Sequence, residues 1–262
     1  MSEPASKLFI EELGGKGEPL IFVHGLGGTV NTWYPQTQVL KRDHRLICYD
    51  LAGSGRSAVA DSISIESHVE DLLRVMERSG AKSVHLAGHS MGTIVCQHLA
   101  AKAPEKVASM ILVGALPAPT DAARQALRDR AAKARSEGMA AIAEAIAAAG
   151  TASDTKVHQP TAVAFVRESL MAQNPEGYGR NCEALANAVA ADHGAIQCPV
   201  LLITGEEDRT GPVAVARALS SAIQRAELQI LPGCGHWATV ERPKQVNYAM
   251  SLFTARLRKK SE

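Results

Sequence analysis

The sequence predicts an α/β fold, with a mostly parallel central sheet flanked by helices and interrupted by one helical insertion. Three observations point there: short apolar runs rich in β-branched residues recur along the chain, helical patterns separate them, and one stretch, 117–195, contains no good strand. Near-continuous apolarity without alternation suits strands covered on both faces, as in a parallel sheet. The strand, helix, strand order supplies the crossovers such a sheet requires. The expected organisation is a core domain of residues 1–116 and 196–262, with a helical cap, or lid, of residues 117–195 inserted into it.

In chain order, the runs at 20–23 and 45–49 read as buried strands. A helix is expected over 65–78, where Val69, Leu72, Leu73 and Met76 share one face. A strand at 83–87 leads through a glycine-flanked serine into a helix over 92–103, and a strand at 107–113 precedes the insertion. Residues 131–149 are dominated by Ala and are helical by propensity, because Ala loses no side-chain entropy on ordering. Further helical patterns follow at 162–173 and 176–190, and Pro160, Pro175 and several Gly residues are expected to punctuate the insertion into separate short helices. Strands at 200–203 and 228–231 then alternate with helices over 212–222 and 243–258.

Composition narrows the function classes. The chain has 262 residues, a length that suits one large α/β domain, and 28 Lys+Arg against 27 Asp+Glu. No basic surplus is available for phosphate neutralisation apart from Arg258, Lys259 and Lys260, so nucleic acid is not an expected partner. No segment is long and apolar enough to span a bilayer, and the start, with its early Glu3, does not read as a secretory signal. Cys48, Cys96, Cys182, Cys198 and Cys234 lack C-x-x-C or zinc spacing and are expected to be free thiols in the cytoplasm. No metal or other cofactor is expected: phosphate-loop, dinucleotide and H-E-x-x-H motifs are all missing from the sequence. The expected partner is a small-molecule substrate, and the sequence leaves a homo-oligomer open.

The sharpest local signal is Gly88-His89-Ser90-Met91-Gly92, placed between an apolar run and a helical stretch. A serine on a sharp strand-to-helix turn is exposed as a nucleophile only if neighbours two residues away lack side chains. Its hydroxyl must lose a proton, which calls for a histidine base and an acid to orient it. His236 and Asp208, each on a loop after a later strand, are the candidates, with Glu206 and Glu207 competing as acids. Negative charge on the attacked carbonyl needs preorganised N–H donors. The loop His24-Gly25-Leu26-Gly27-Gly28 can supply one from Leu26, with Met91 as the second, and His24 is expected to fix that loop rather than to carry protons.

Together with Asp50-Leu51-Ala52-Gly53-Ser54-Gly55-Arg56-Ser57 and Gly205-Glu206-Glu207-Asp208, these motifs resemble the α/β-hydrolase fold superfamily across nearly the whole chain. The resemblance implies Ser90 as nucleophile, Asp208 as acid, His236 as base, and the amides of Leu26 and Met91 as an oxyanion hole. It gives the 50–57 turn a structural role. Ser90 rather than a carboxylate at the elbow separates the chain from epoxide hydrolases and haloalkane dehalogenases.

Within the superfamily, residues 174–185 look like the cap segment of 3-oxoadipate enol-lactonases and their relatives, whereas the His24-Gly25 loop departs from the Ser-rich start that many of them carry. The implied reaction is hydrolysis of a carboxylic ester or lactone through an acyl-enzyme. An acidic lactone would need a cation in the cap, for which Arg180 is the first candidate and Arg167 and Arg124 the next. The chain has only two Trp, four Tyr and four Phe. Trp33, beyond the oxyanion loop, and Trp237, after the base, are expected to bind substrate, with Phe165 and Tyr178 nearby. The alternatives are a carbon–carbon bond hydrolase of ring-cleavage products, which shares the triad, and a hydrolase-fold ligand receptor; a cofactor-free peroxidase side activity is a further option.

Overall fold

A computed structural model describes residues 7–258. The first six residues of the start read against a secretory signal lie outside the described residues, as do Lys259 and Lys260. Seven strands form one sheet: β1 (Ile10–Gly14), β2 (Pro19–Val23), β3 (Arg45–Tyr49), β4 (Val84–His89), β5 (Val107–Val113), β6 (Val200–Gly205) and β7 (Ala226–Leu231). The spatial order is β1-β3-β2-β4-β5-β6-β7, with β1 antiparallel to β3 and every other pair parallel. β1 has no counterpart among the expected strands. It is a half-exposed edge strand, Ile-Glu-Glu-Leu-Gly, whose two carboxylates conceal the apolar signal while protecting the edge.

Successive side chains of a strand point to opposite faces, and the sheet divides its core accordingly. Ile21 and Val23 pack with Leu86, Met110, Leu112 and Leu202 toward α2 (Ile65–Ser79) and α3 (Met91–Lys102). Leu20 and Phe22 pack with Ala87, Ile111, Val113 and Ile203 toward α11 (Pro243–Arg258), beside which lies α1 (Tyr34–Leu40). α2 begins at a reciprocal Ser64–Ser67 cap and ends at Gly80, whose φ of 70° suits a residue without Cβ. α9 (Val213–Ala222) follows β6, and α10 (Ala238–Glu241) follows β7.

Between β5 and β6 run α4 (Asp121–Glu137), α5 (Ala140–Gly150), α6 (Ser153–His158), α7 (Pro160–Met171) and α8 (Pro175–Asn187). The Ala-rich stretch 131–149 divides between α4 and α5 at Gly138, which takes φ 78° and stops α4. The small side chains matter for packing: Ala131 and Ala134 are buried where α4 meets α8. All five cysteines are buried and unbridged. No described helix is long and apolar enough to cross a membrane.

Candidate active site

Ser90 joins β4 to α3 at φ 51°, ψ −120°, and is the one non-glycine residue with a positive φ among those described. Such a conformation costs about 1–3 kcal/mol and persists only where the surroundings impose it. Here the Ser90 N–H donates to Val113 O at 3.0 Å, and the Thr93 N–H and Oγ1–H donate to Ser90 O at 2.8 and 2.6 Å. The flanking glycines allow close backbone passage: a Cβ on Gly88 would lie 2.7 Å from Gly92 O, and one on Gly92 would lie 2.3 Å from Val23 O.

Asp208 and His236 stand on the loops after β6 and β7. His236 Nδ1 lies 3.0 and 2.9 Å from the two Asp208 oxygens, while the N–H groups of Thr210 and Gly211 each donate to Asp208 Oδ1 at 2.8 Å. Burial raises the cost of ionising Asp208, but His236 and these N–H donors outweigh it and hold the carboxyl below its ordinary range. Burial likewise opposes a charge on His236, and the Asp208 carboxylate reverses this, lifting the imidazole above its ordinary value. Glu206 and Glu207 face elsewhere, accepting from the N–H groups of Gly233 and Ser153.

Among the described residues no hydrogen bond joins Ser90 Oγ to His236; the connection runs through His89. Its Nε2–H donates to His236 O at 2.9 Å, and its ring centroid lies 5.0 Å from that of His236. Burial, reinforced by His236, pushes His89 down to about 3, so it stays neutral and keeps this tautomer.

The Gly25–Leu26 backbone runs directly against the serine: a Cβ on Gly25 would lie 2.7 Å from Ser90 Cβ. The Met91 N–H opens α3, where the first amides have no partner within the helix. Both candidate oxyanion donors therefore flank Ser90. His24 fixes the loop, with Nδ1–H donating to Gly25 O at 2.8 Å and Nε2 accepting from the Leu51 N–H at 2.9 Å. From above, the Ser169 hydroxyl donates to Gly27 O at 2.8 Å, and Leu170 packs where a Gly27 side chain would be.

Two residues expected to contact substrate, Trp33 and Arg180, have their partners within the protein. Trp33 is fully buried against Phe22, ring centroids 5.0 Å apart, in the core cluster on the α11 side of the sheet, so it has no surface to offer a ligand. Arg180 is occupied: Nε donates to Glu176 Oε1 at 2.7 Å and its guanidinium also donates to Ala60 O, which binds α8 to the core. Arg124 donates to the carbonyls of Ala186 and Ala188, and Arg167 pairs with Glu144 at 2.7 Å. Trp237 remains beside the base but is buried, its ring 5.2 Å from that of His89. A cleft of about 770 Å³ opens between α7 and the core, lined by Asn31, Tyr34, Gln159, Pro160, Phe165 and Val240.

The family described as alpha/beta hydrolase fold matches residues 18–243, most of the chain. The chain belongs to the α/β-hydrolase fold family. The matched stretch of this α/β-hydrolase contains Ser90, Asp208 and His236. It is 29% identical over 239 residues to 3-oxoadipate enol-lactonase 2 of Acinetobacter baylyi, covering 90% of this chain and 88% of that one. With the (E)-2-((N-methylformamido)methylene)succinate hydrolase of the same organism it shares 27% over 243 residues, 91% of each chain. Among solved structures, a thermophilic esterase from Thermogutta terrifontis superposes with a TM-score of 0.91 at 26% identity, covering 96% of this chain and 94% of the other. Two contacts around His236 in this α/β-hydrolase escaped the sequence reading: the ring of His89, the residue before Ser90, and Glu241, a carboxylate with no motif to mark it, which accepts from the N–H groups of Gly235 and Trp237.

Proposed function

We propose that the protein is a serine hydrolase of uncharged carboxylic esters or lactones, with helices α4–α8 acting as the cap over its site. The observation that carries this reading is the buried His236–Asp208 pair, joined through His89 to a serine held at positive φ, with the Gly25–Leu26 backbone against that serine and the Met91 N–H following it. Ser90 Oγ gives its proton to His236 Nε2 and attacks the carbonyl; the N–H groups of Leu26 and Met91 receive the oxyanion. His236 then protonates the leaving alcohol, and water, deprotonated by the same imidazole, hydrolyses the acyl-enzyme. Asp208 keeps Nδ1 protonated throughout, so Nε2 is the basic nitrogen.

An uncharged substrate is favoured because Arg124, Arg167 and Arg180 are all engaged, while the half-buried faces of α5 and α7 are apolar at Ile146, Val163 and Phe165. The test is a turnover panel of p-nitrophenyl acetate, longer esters, neutral and acidic lactones and a ring-cleavage dienoate. Neutral esters or lactones are expected to be turned over fastest, with Ser90→Ala lowering kcat by at least about 10⁴-fold. Wild-type turnover by Ser90→Ala, or turnover of the dienoate alone, overturns the reading.

A further inference from the structure

A second buried carboxylate stands against the proposed base. Glu241, the last residue of α10, is fully buried. Burying a carboxylate costs several kcal/mol unless its lone pairs are satisfied, and four donors meet this one. Oε2 accepts from the N–H of Ala152 at 2.8 Å, the hydroxyl of Thr155 at 2.8 Å and the N–H of Gly235 at 3.1 Å; Oε1 accepts from the N–H of Trp237 at 3.0 Å.

The identities of those donors matter. Gly235 and Trp237 are the residues on either side of His236. Ala152 lies in the corner between α5 and α6 and Thr155 in the first turn of α6 that follows it, and the carbonyl of Gly150, which ends α5 at that corner, accepts the N–H of His236 itself at 2.8 Å. Three consecutive amides around the base are thus held, two by Glu241 and the third by the corner that Glu241 also holds. The fit is tight, since a Cβ on Gly235 would lie 2.6 Å from Gly150 O and 2.9 Å from Glu241 Oε1. Arg242 adds a second tie, donating to Thr155 Oγ1 at 3.3 Å, to Glu241 O at 2.9 Å and to Asp154 Oδ2 at 2.6 Å.

We propose that Glu241 is a positioning residue for His236, joining the base loop and the α5–α6 corner into one unit so that the imidazole is set only when the corner is seated. The proposal rests on the reading of His236 as base. The charged and titratable groups around that ring are Asp208 from the β6 loop, His89 from β4 and Glu241 from α10, with Arg242 behind Glu241. After Asp208, Glu241 is a second negative charge that favours the imidazolium.

The test compares Glu241→Gln with the wild-type protein. The amide keeps the shape but removes the charge and turns one acceptor into a donor facing N–H groups. We expect kcat to fall roughly 10- to 100-fold, as for a catalytic group displaced by about 1 Å, with KM nearly unchanged and the acid limb of kcat/KM moved to lower pH. Titration of the His236 imidazole by NMR should show the same downward shift, and it needs no substrate, so it decides the proposal even if no ester is turned over. Wild-type kcat, or a fall in kcat with an unmoved His236 midpoint, overturns it. If Glu241→Gln does not fold, Thr155→Val, which removes only the corner's hydroxyl, should lower kcat severalfold; wild-type kcat there overturns the coupling of corner to base.

Discussion

Asp208 has two duties that a single substitution separates. Its Oδ1 accepts the N–H groups of Thr210 and Gly211, and both oxygens face His236 Nδ1. Asp208→Asn can still accept those amides through its carbonyl, but its NH₂ cannot accept the imidazole proton, so Nε2 becomes the protonated nitrogen. Ester turnover should fall about 10⁴-fold with the fold intact, measured by kcat and by an unchanged circular dichroism spectrum. In the wild-type protein, the acid limb of kcat/KM should lie above the ordinary histidine value of 6.5, because the proposed base His236 must be neutral to act and its environment favours the charged form. The sharp turn at Ser90 and the meeting of Asp208 with His236 were legible in the sequence because backbone constraint ties each to a recognisable string. The partners of Trp33 and Arg180 were not, since the direction of a ring or a cation depends on packing that no motif marks, for Arg180 against Ala60, 120 residues earlier. Glu241 was illegible for the same reason, its ligands Ala152 and Thr155 lying almost ninety residues earlier.

At the scale of elements, two glycines two residues apart on α8, and so on opposite faces of it, should respond oppositely to the same change. A Cβ on Gly177 would lie 2.1 Å from Gly53 O, where α8 presses on the 50–57 turn and Asn181 Nδ2 donates to Ala52 O at 2.9 Å. Replacing a helical Gly by Ala gains roughly 0.8–1.0 kcal/mol in propensity, whereas forcing packed backbone apart costs about 1–3 kcal/mol. Gly177→Ala should therefore lower the urea midpoint. On Gly179 the nearest atom is Arg135 Cζ at 3.0 Å, the end of an ion-paired side chain that can turn aside. Exposed pairs contribute about 0–1 kcal/mol, so Gly179→Ala should leave stability unchanged or raise it slightly; equal losses for the two variants would refute the distinction. Strand identity was readable from apolar runs and the breaking of the insertion into short helices from its Pro and Gly residues, but β1 was not readable. An acidic edge strand lacks the run, because its two Glu residues alternate out of the apolar pattern.

Across the whole molecule, five buried histidines are held below their ordinary titration range chiefly by burial: His24 under the oxyanion loop, His44 and His85 at the opposite end of the sheet, His68 on α2, and His89 beside the base. His44 and His68 are pushed down to about 4, and His89 to about 3. The unfolded chain protonates these groups near 6.5 while the folded chain does not, so the unfolded state binds more protons and stability falls as pH drops below 6.5. Each pH unit of difference is worth about 1.4 kcal/mol per group. The combined loss by pH 4.5 therefore reaches several kcal/mol, comparable with a total stability of roughly 5–15 kcal/mol. Asp208, held low, adds its loss only at more acidic pH, while His236, held high, opposes the trend by favouring the folded state below 6.5. Urea midpoints measured from pH 7.5 to 4.5 should fall steadily below 6.5. His68→Gln should make that fall shallower, because Gln can still donate to Asn181 Oδ1, the acceptor 2.8 Å from His68 Nε2, without taking up a proton. A midpoint independent of pH over this range, or an equally steep fall in His68→Gln, would show that the buried imidazoles do not govern acid stability.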